Sequence, residues 1–223
     1  MVTQEDPPAA NAEIEKRAGD PRFAQIMLPP KSLEPQGRRR YWPIYEAAAA
    51  AGFPIGVHAF GQSGEPNTSS GWASYYIEEM VGHAQTSQSV VTSFVTEGVF
   101  ARFPRLKLIM VEGGCAWAPS LAWRLDKVWR TLKAETPSLT RAPSEYIRDH
   151  FWFTTQPLDE PPDDSDLLET FELVGLDRIM FSTDYPHWDF DEPRFVTSKL
   201  KLNEDELAQI LRGNACALSG FDA

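Results

Sequence analysis

Arg178-Ile-Met-Phe-Ser-Thr-Asp-Tyr-Pro-His-Trp188 is the stretch that decides the fold. A short apolar run, Ile179-Met180-Phe181, leads into a small polar pair and then Asp184, Pro186 and His187. It reads as a buried strand ending in a loop that carries an acid and an imidazole. Acids at the carboxyl ends of parallel strands are where α/β folds place their chemistry. The design recurs upstream. Phe53-Pro-Ile-Gly-Val-His58 closes an apolar run on a His, and Leu106-Lys-Leu-Ile-Met-Val-Glu112 closes another on a Glu.

Working outward, strand and helix patterns alternate. Strands are predicted at Arg22–Leu28, Pro54–Ala59, Leu106–Val111, Phe151–Thr155 and Arg178–Ser182. Residues 1–11 read as a mobile lead-in, with a short helix at Ala12–Ala18. Tyr41–Ala51 reads as a helix that Gly52 caps. A Gly/Ser/Pro/Asn-rich loop follows over 60–71. Trp72–Phe103 is predicted helical in two pieces, broken near Gly82 or Gly98. In Pro119–Leu132, Leu121, Leu125, Val128 and Leu132 recur at helical spacing. Helices at Asp166–Val174 and Glu204–Leu218, the latter with Asn203 as N-cap, complete the pattern. Strict βα alternation implies parallel strands with right-handed crossovers. There is no GxGxxG, GxxxxGK[ST] or GxSxG, so dinucleotide, P-loop and serine-hydrolase readings are poor. Polar residues at several strand ends favour a (β/α)8 barrel over an open doubly wound sheet.

At 223 residues and 42% hydrophobic content the chain suits one globular domain over 1–223. A net charge of −11 argues against a nucleic-acid partner but not against a small anionic substrate. Arg38-Arg39-Arg40, the one dense basic run, reads as a solvated helix start. Cys115 and Cys216 do not make a disulfide framework, which fits a reducing cytoplasm. No signal peptide and no membrane span are expected.

Several segments resemble one family. They are Phe53–His58, Val99-Phe-Ala-Arg-Phe-Pro-Arg-Leu-Lys-Leu108, Glu112-Gly-Gly-Cys-Ala-Trp117, Trp123-Arg-Leu-Asp126, Phe181-Ser-Thr-Asp-Tyr-Pro-His-Trp188 and Asn214-Ala. Their order and spacing resemble the amidohydrolase-related family. This is the branch of the amidohydrolase superfamily containing aminocarboxymuconate-semialdehyde decarboxylase and similar metal-dependent hydrolases. The resemblance implies a (β/α)8 TIM barrel with a divalent metal, often zinc, at its carboxyl face. The family's ligands are an HxH pair ending the first strand, a His ending the fifth and an Asp ending the eighth. His58 matches the fifth-strand His and Asp184 the eighth-strand Asp. Glu112 ends the sixth strand, where the decarboxylases usually carry a His. The chain has no HxH, and its match begins near the fourth strand. The expectation is therefore a barrel truncated to about its last five βα units.

The resulting assignment makes His58 and Asp184 metal ligands. Asp184, Glu112 and His187 are the catalytic candidates, and Trp117, Trp188 and His83 line the substrate pocket. The expected chemistry is metal-dependent hydrolysis of a small carboxylate- or carbonyl-bearing substrate. Non-oxidative decarboxylation is the alternative, and a non-catalytic binding or scaffold remnant is another. Two ligands are fewer than the three typical of catalytic zinc. Weak metal binding and low activity are expected unless partner chains complete the barrel. An open barrel should also expose strand edges and apolar interior, which a homodimer would cover.

Overall fold

The computed structural model describes residues 1–58 and 66–221. Ala59, expected to end a strand, and residues 60–65, the first half of the loop expected over 60–71, lie outside the described residues. The apolar runs form β1 (Ile26–Leu28), β2 (Ile55–His58), β3 (Leu108–Val111), β4 (Phe151–Thr154) and β5 (Ile179–Met180). All pairings are parallel, and the strand order in space is the order in the chain. A doubly wound sheet reverses its order at a switch point; this one never reverses. It is the winding of a TIM barrel.

The register lines up Leu28, Val57, Met110, Phe153 and Ile179 in one row. Every member is apolar and buried, and packs with Ile44, Tyr45, Phe94 and Phe171 of the helices. Strand side chains alternate between faces. Ile109, Trp152 and Met180 therefore face the other way, into a second small core with Leu218. This is the interior face expected to lie exposed. Instead these three residues are buried. Leu218 packs on them, and the Arg178 guanidinium lies 4.4 Å from the Trp152 ring.

The sheet edges are also partly engaged. On β1 the Val2 N–H donates to Met27 O at 3.2 Å. The Asn214 side-chain amide donates to Ile179 O of β5 at 2.6 Å and to Leu176 O, in the turn just before it, at 2.7 Å. The Phe181 N–H donates to Ile210 O at 3.1 Å.

The first helix, α1 (Pro7–Arg17), begins inside the stretch expected to be an unstructured lead-in. Asp6 caps it by accepting from the Ala9 N–H, and Pro7 opens its first turn, a position where a missing N–H costs nothing. Next, α2 (Trp42–Ala51) ends at Gly52 in the left-handed region, as expected. The long α3 (Tyr76–Thr96) runs unbroken through Gly82; the break comes at Gly98, φ +76°, before α4 (Val99–Arg102). It starts later than Trp72 because the Glu78 carboxylate captures the Ser74 and Tyr75 N–H groups and fixes the first turn there. After α5 (Trp117–Leu132) comes α6 (Pro143–His150), which the apolar pattern did not indicate. Then α7 (Asp164–Val174) precedes β5, and α8 (Pro193–Lys199) is a second unanticipated helix. The closing helix is divided into α9 (Glu204–Ala208), a wide π turn at Gln209–Gly213, and α10 (Asn214–Ser219). Among the described residues no helix is long and apolar enough to cross a membrane.

Two outcomes follow. Asn214→Ala removes one bond to β5 and one to the turn before it, and leaves a buried carbonyl unpaired. It should cost about 2–3 kcal/mol, read as a lowered urea midpoint. His150 is buried, stacked on Phe100 at 4.2 Å, with Nδ1 bonded to Leu106 O at 2.9 Å. Burial pushes its pKa down. The unfolded chain then holds the proton more tightly, so stability is full above about pH 6.5 and falls as pH drops below it. Urea unfolding at pH 7.5 and 5.5 should show the loss, and His150→Phe should shrink it.

Candidate active site

Parallel strands bring their carboxyl ends to one rim. β2 ends on His58, β3 runs into Glu112, and Asp184 follows β5 a few residues on. There the side chains meet. His58 Nε2 is 3.2 Å from Glu112 Oε2. The Glu112 and Asp184 carboxyl groups stand beside each other. His187 Nδ1 is 2.7 Å from Asp184 Oδ2. Ligand atoms of Glu112, Asp184 and His187 all lie within 4.8 Å of one another.

The backbone is bent to make this possible. Glu112 and Asp184 have φ of 56° and 60°, a left-handed conformation that non-glycine residues seldom adopt. Each is braced. The Glu112 N–H donates to Thr154 Oγ1 at 3.2 Å. The next residue must be Gly113, since a Cβ there would lie 2.4 Å from Ser87 Oγ on α3. The loop carrying Asp184 is closed by the Asp191 N–H donating to Thr183 O at 2.9 Å. Ser182 locks β5 to the end of β4, accepting from the Gln156 N–H at 3.0 Å.

The two carboxyls are driven apart in acidity. Burial raises the Asp184 pKa, and the hydrogen bond and charge of Glu112 add to it. Burial also opposes ionisation of Glu112, but hydrogen bonds from His58 and Asp184 and the charges of His58 and His187 pull its pKa down.

The structure thus brings together His58, Glu112, Asp184 and His187. His83 is half-buried on α3; burial lowers its pKa, and the charges acting on it, Glu79 and Lys31 first, include those of Glu112 and His58. Trp188, next to His187, is exposed on the rim. Trp117 does not line the cluster as expected. Its indole N–H donates to Gly113 O at 2.8 Å and its ring packs edge-on against Phe153 in the helix-side core. Thr154 and Ser87 escaped the sequence reading; the Thr154-Thr155 pair ending an aromatic strand was the one hint. A cleft of about 1210 Å³ beside α3, lined by Lys31, Gln36, Asn67 and Ser89, stands apart from the cluster.

The donor set fits a divalent cation. It offers imidazole nitrogen and carboxylate oxygen, the combination that suits zinc, manganese or iron. Two carboxylates this close repel when both are ionised, and a cation between them would neutralise that repulsion.

Comparison with known proteins agrees with this geometry. The amidohydrolase family model matches residues 1–221. A gamma-resorcylate decarboxylase from Rhizobium sp. is 23% identical over 98% of this chain and 68% of its own length. The crystal structure of 5-carboxyvanillate decarboxylase from Sphingomonas paucimobilis superposes with a TM-score of 0.76 at 26% identity. That match covers 99% of this chain and 65% of the other. A dihydroxybenzoic acid decarboxylase from Polaromonas sp., solved with manganese and the inhibitor 2-nitroresorcinol, has a TM-score of 0.74 at 22% identity, covering 99% and 68%. The chain spans about two thirds of the length of these relatives. Its barrel winding, its strand-end acids and imidazoles, and a family match over almost every residue make it a member of the amidohydrolase family.

Proposed function

We propose that the chain carries the catalytic face of a divalent-metal-dependent, non-oxidative decarboxylase of a small aromatic carboxylic acid. The observation that carries this is the meeting of Glu112, Asp184 and His187 on one rim, with His58 Nε2 3.2 Å from Glu112 Oε2. Hydrolysis would use the same ligands, but the relatives named above are decarboxylases, and they weigh toward the second chemistry. Manganese in one of them, and the oxygen-rich donor set here, favour a metal other than zinc.

His58, Glu112 and Asp184 are the residues that would hold the cation. Bound there, it supplies Lewis acidity that draws electron density from the substrate's oxygens. In the reaction the bond between ring carbon and carboxylate breaks. Its electron pair stays on the ring carbon, which takes one proton as carbon dioxide leaves. With Glu112 in place of a sixth-strand His, His187 is the imidazole placed to deliver that proton. Its Nδ1 is held by Asp184 and its side chain is 69% exposed, so it can reload from water.

Elemental analysis of gel-filtered protein reconstituted with manganese should find about one equivalent per chain, by the one-cluster geometry. His58→Ala and Asp184→Asn should lose it. Because Asp184 must release its proton to bind a cation, and that proton is held more tightly than in a free carboxyl, affinity should fall as pH drops through the raised pKa. An empty, folded protein at every pH would sink this reading. His187→Gln should keep the metal and lose about 10²–10⁴ in turnover, the usual worth of a proton carrier.

A further inference from the structure

Several large aromatic side chains stand in water. Trp72, Tyr75, Tyr76, Tyr185 and Trp188 are all exposed, Tyr76 at 60% and Trp188 at 75%. They belong to two segments, one at the start of α3 and one after β5. Yet the backbones beneath them are tied down. The Glu78 carboxylate accepts from the Ser74 and Tyr75 N–H groups at 2.6 and 2.7 Å, and the Asn67 side chain donates to Glu79 O at 2.8 Å. In the other segment, the His187 N–H donates to Asp184 O at 2.9 Å, and the Phe190 N–H to His187 O at 3.3 Å. The Tyr185 ring packs edge-on against Phe190.

Tyr76 and Trp188 then meet, with ring centroids 6.2 Å apart and planes inclined at 52°. One ring belongs to the helix after β2 and the other to the loop after β5, two strands separated in the sheet by β3 and β4. Their contact therefore bridges the rim on which Glu112 stands, and Trp188 is the neighbour of His187. Two rings kept in water on a pinned scaffold, inclined as the sides of a wedge, are prepared to cover a third flat surface.

We propose that Tyr76 and Trp188 are the ring-selecting walls of the substrate site. An aromatic acid stacks on Trp188 with Tyr76 against its edge, and its carboxylate points to the acid–imidazole cluster. This rests on the aromatic-acid reading above and adds the residues that choose a flat ring over a saturated one.

Manganese-loaded wild type, Tyr76→Ala, Trp188→Ala and Trp188→Phe would be titrated with 2,6-dihydroxybenzoate and with cyclohexanecarboxylate. Binding would be followed by calorimetry and by tryptophan fluorescence. Each alanine variant should weaken the aromatic acid about tenfold, the worth of one stacking contact. The saturated acid should hardly change. Trp188→Phe should restore most of the affinity but lose part of the ligand-induced quenching. Metal content and unfolding temperature should match wild type. Equal losses for both acids, or no loss for either, would overturn the proposal. So would Trp188→Ala eluting as a smaller species on gel filtration, because the rings would then be a contact between copies of the chain. If wild type holds manganese but does not bind dihydroxybenzoate, the aromatic-acid reading falls and takes the wedge with it. If wild type binds it and the variants bind equally well, only the wedge falls.

Discussion

One row of the parallel ladder sets the height of everything on the rim. Leu28, Val57, Met110, Phe153 and Ile179 stand side by side and are all buried against the helices. Strand side chains alternate with a period of two, so slipping β2 or β3 by one residue would swap faces. His58 would turn into the helix-side core, and Val57 would take its place at the rim. The packing of that row and the meeting of His58 with Glu112 are one constraint seen from two sides.

Against that rigid row, the cluster stores local strain. Glu112 and Asp184 each hold a left-handed backbone, at a cost on the order of 1–2 kcal/mol apiece. They also face each other as acids, close enough for like charges to repel. Neither feature helps the fold, and both fall on the same two residues. Thr154, Gly113 and the closed loop from Thr183 to Asp191 hold the arrangement in place. A bound cation would offset the repulsion directly, which is why strain and charge at this spot point to function rather than to imperfect packing.

The parts of this molecule that were legible in the sequence are those whose signals are local. The strands announce themselves as apolar runs stopped by Gly, Pro or a charged residue, and Gly52 and Gly98 mark helix ends by their own conformational freedom. Asp184 and His187 are near neighbours in one loop, so their contact was within reach of a sequence reading. The Glu112–Asp184 contact was not, because only the sheet register joins strand ends so far apart in the chain. The helix at Pro143–His150 was missed because Tyr146 and Ile147 are too few to set a period. The start of α3 was misplaced because Trp72 and Tyr75 look like core residues, while the structure leaves them in water. The covering of the interior face depended on Leu218, at the far end of the chain, and on cations over Trp152; neither leaves a local pattern.

Among the described residues, the edge of β5 is engaged at one carbonyl by the amide of Asn214. A strand added to a sheet satisfies one edge and creates the next, so growth can continue from copy to copy. A side-chain amide accepts no successor: it occupies the carbonyl and presents a helix behind it. At that carbonyl the edge of the described sheet is already engaged. Molecules meeting at this side find a surface of α10 and not a template for fibrous assembly.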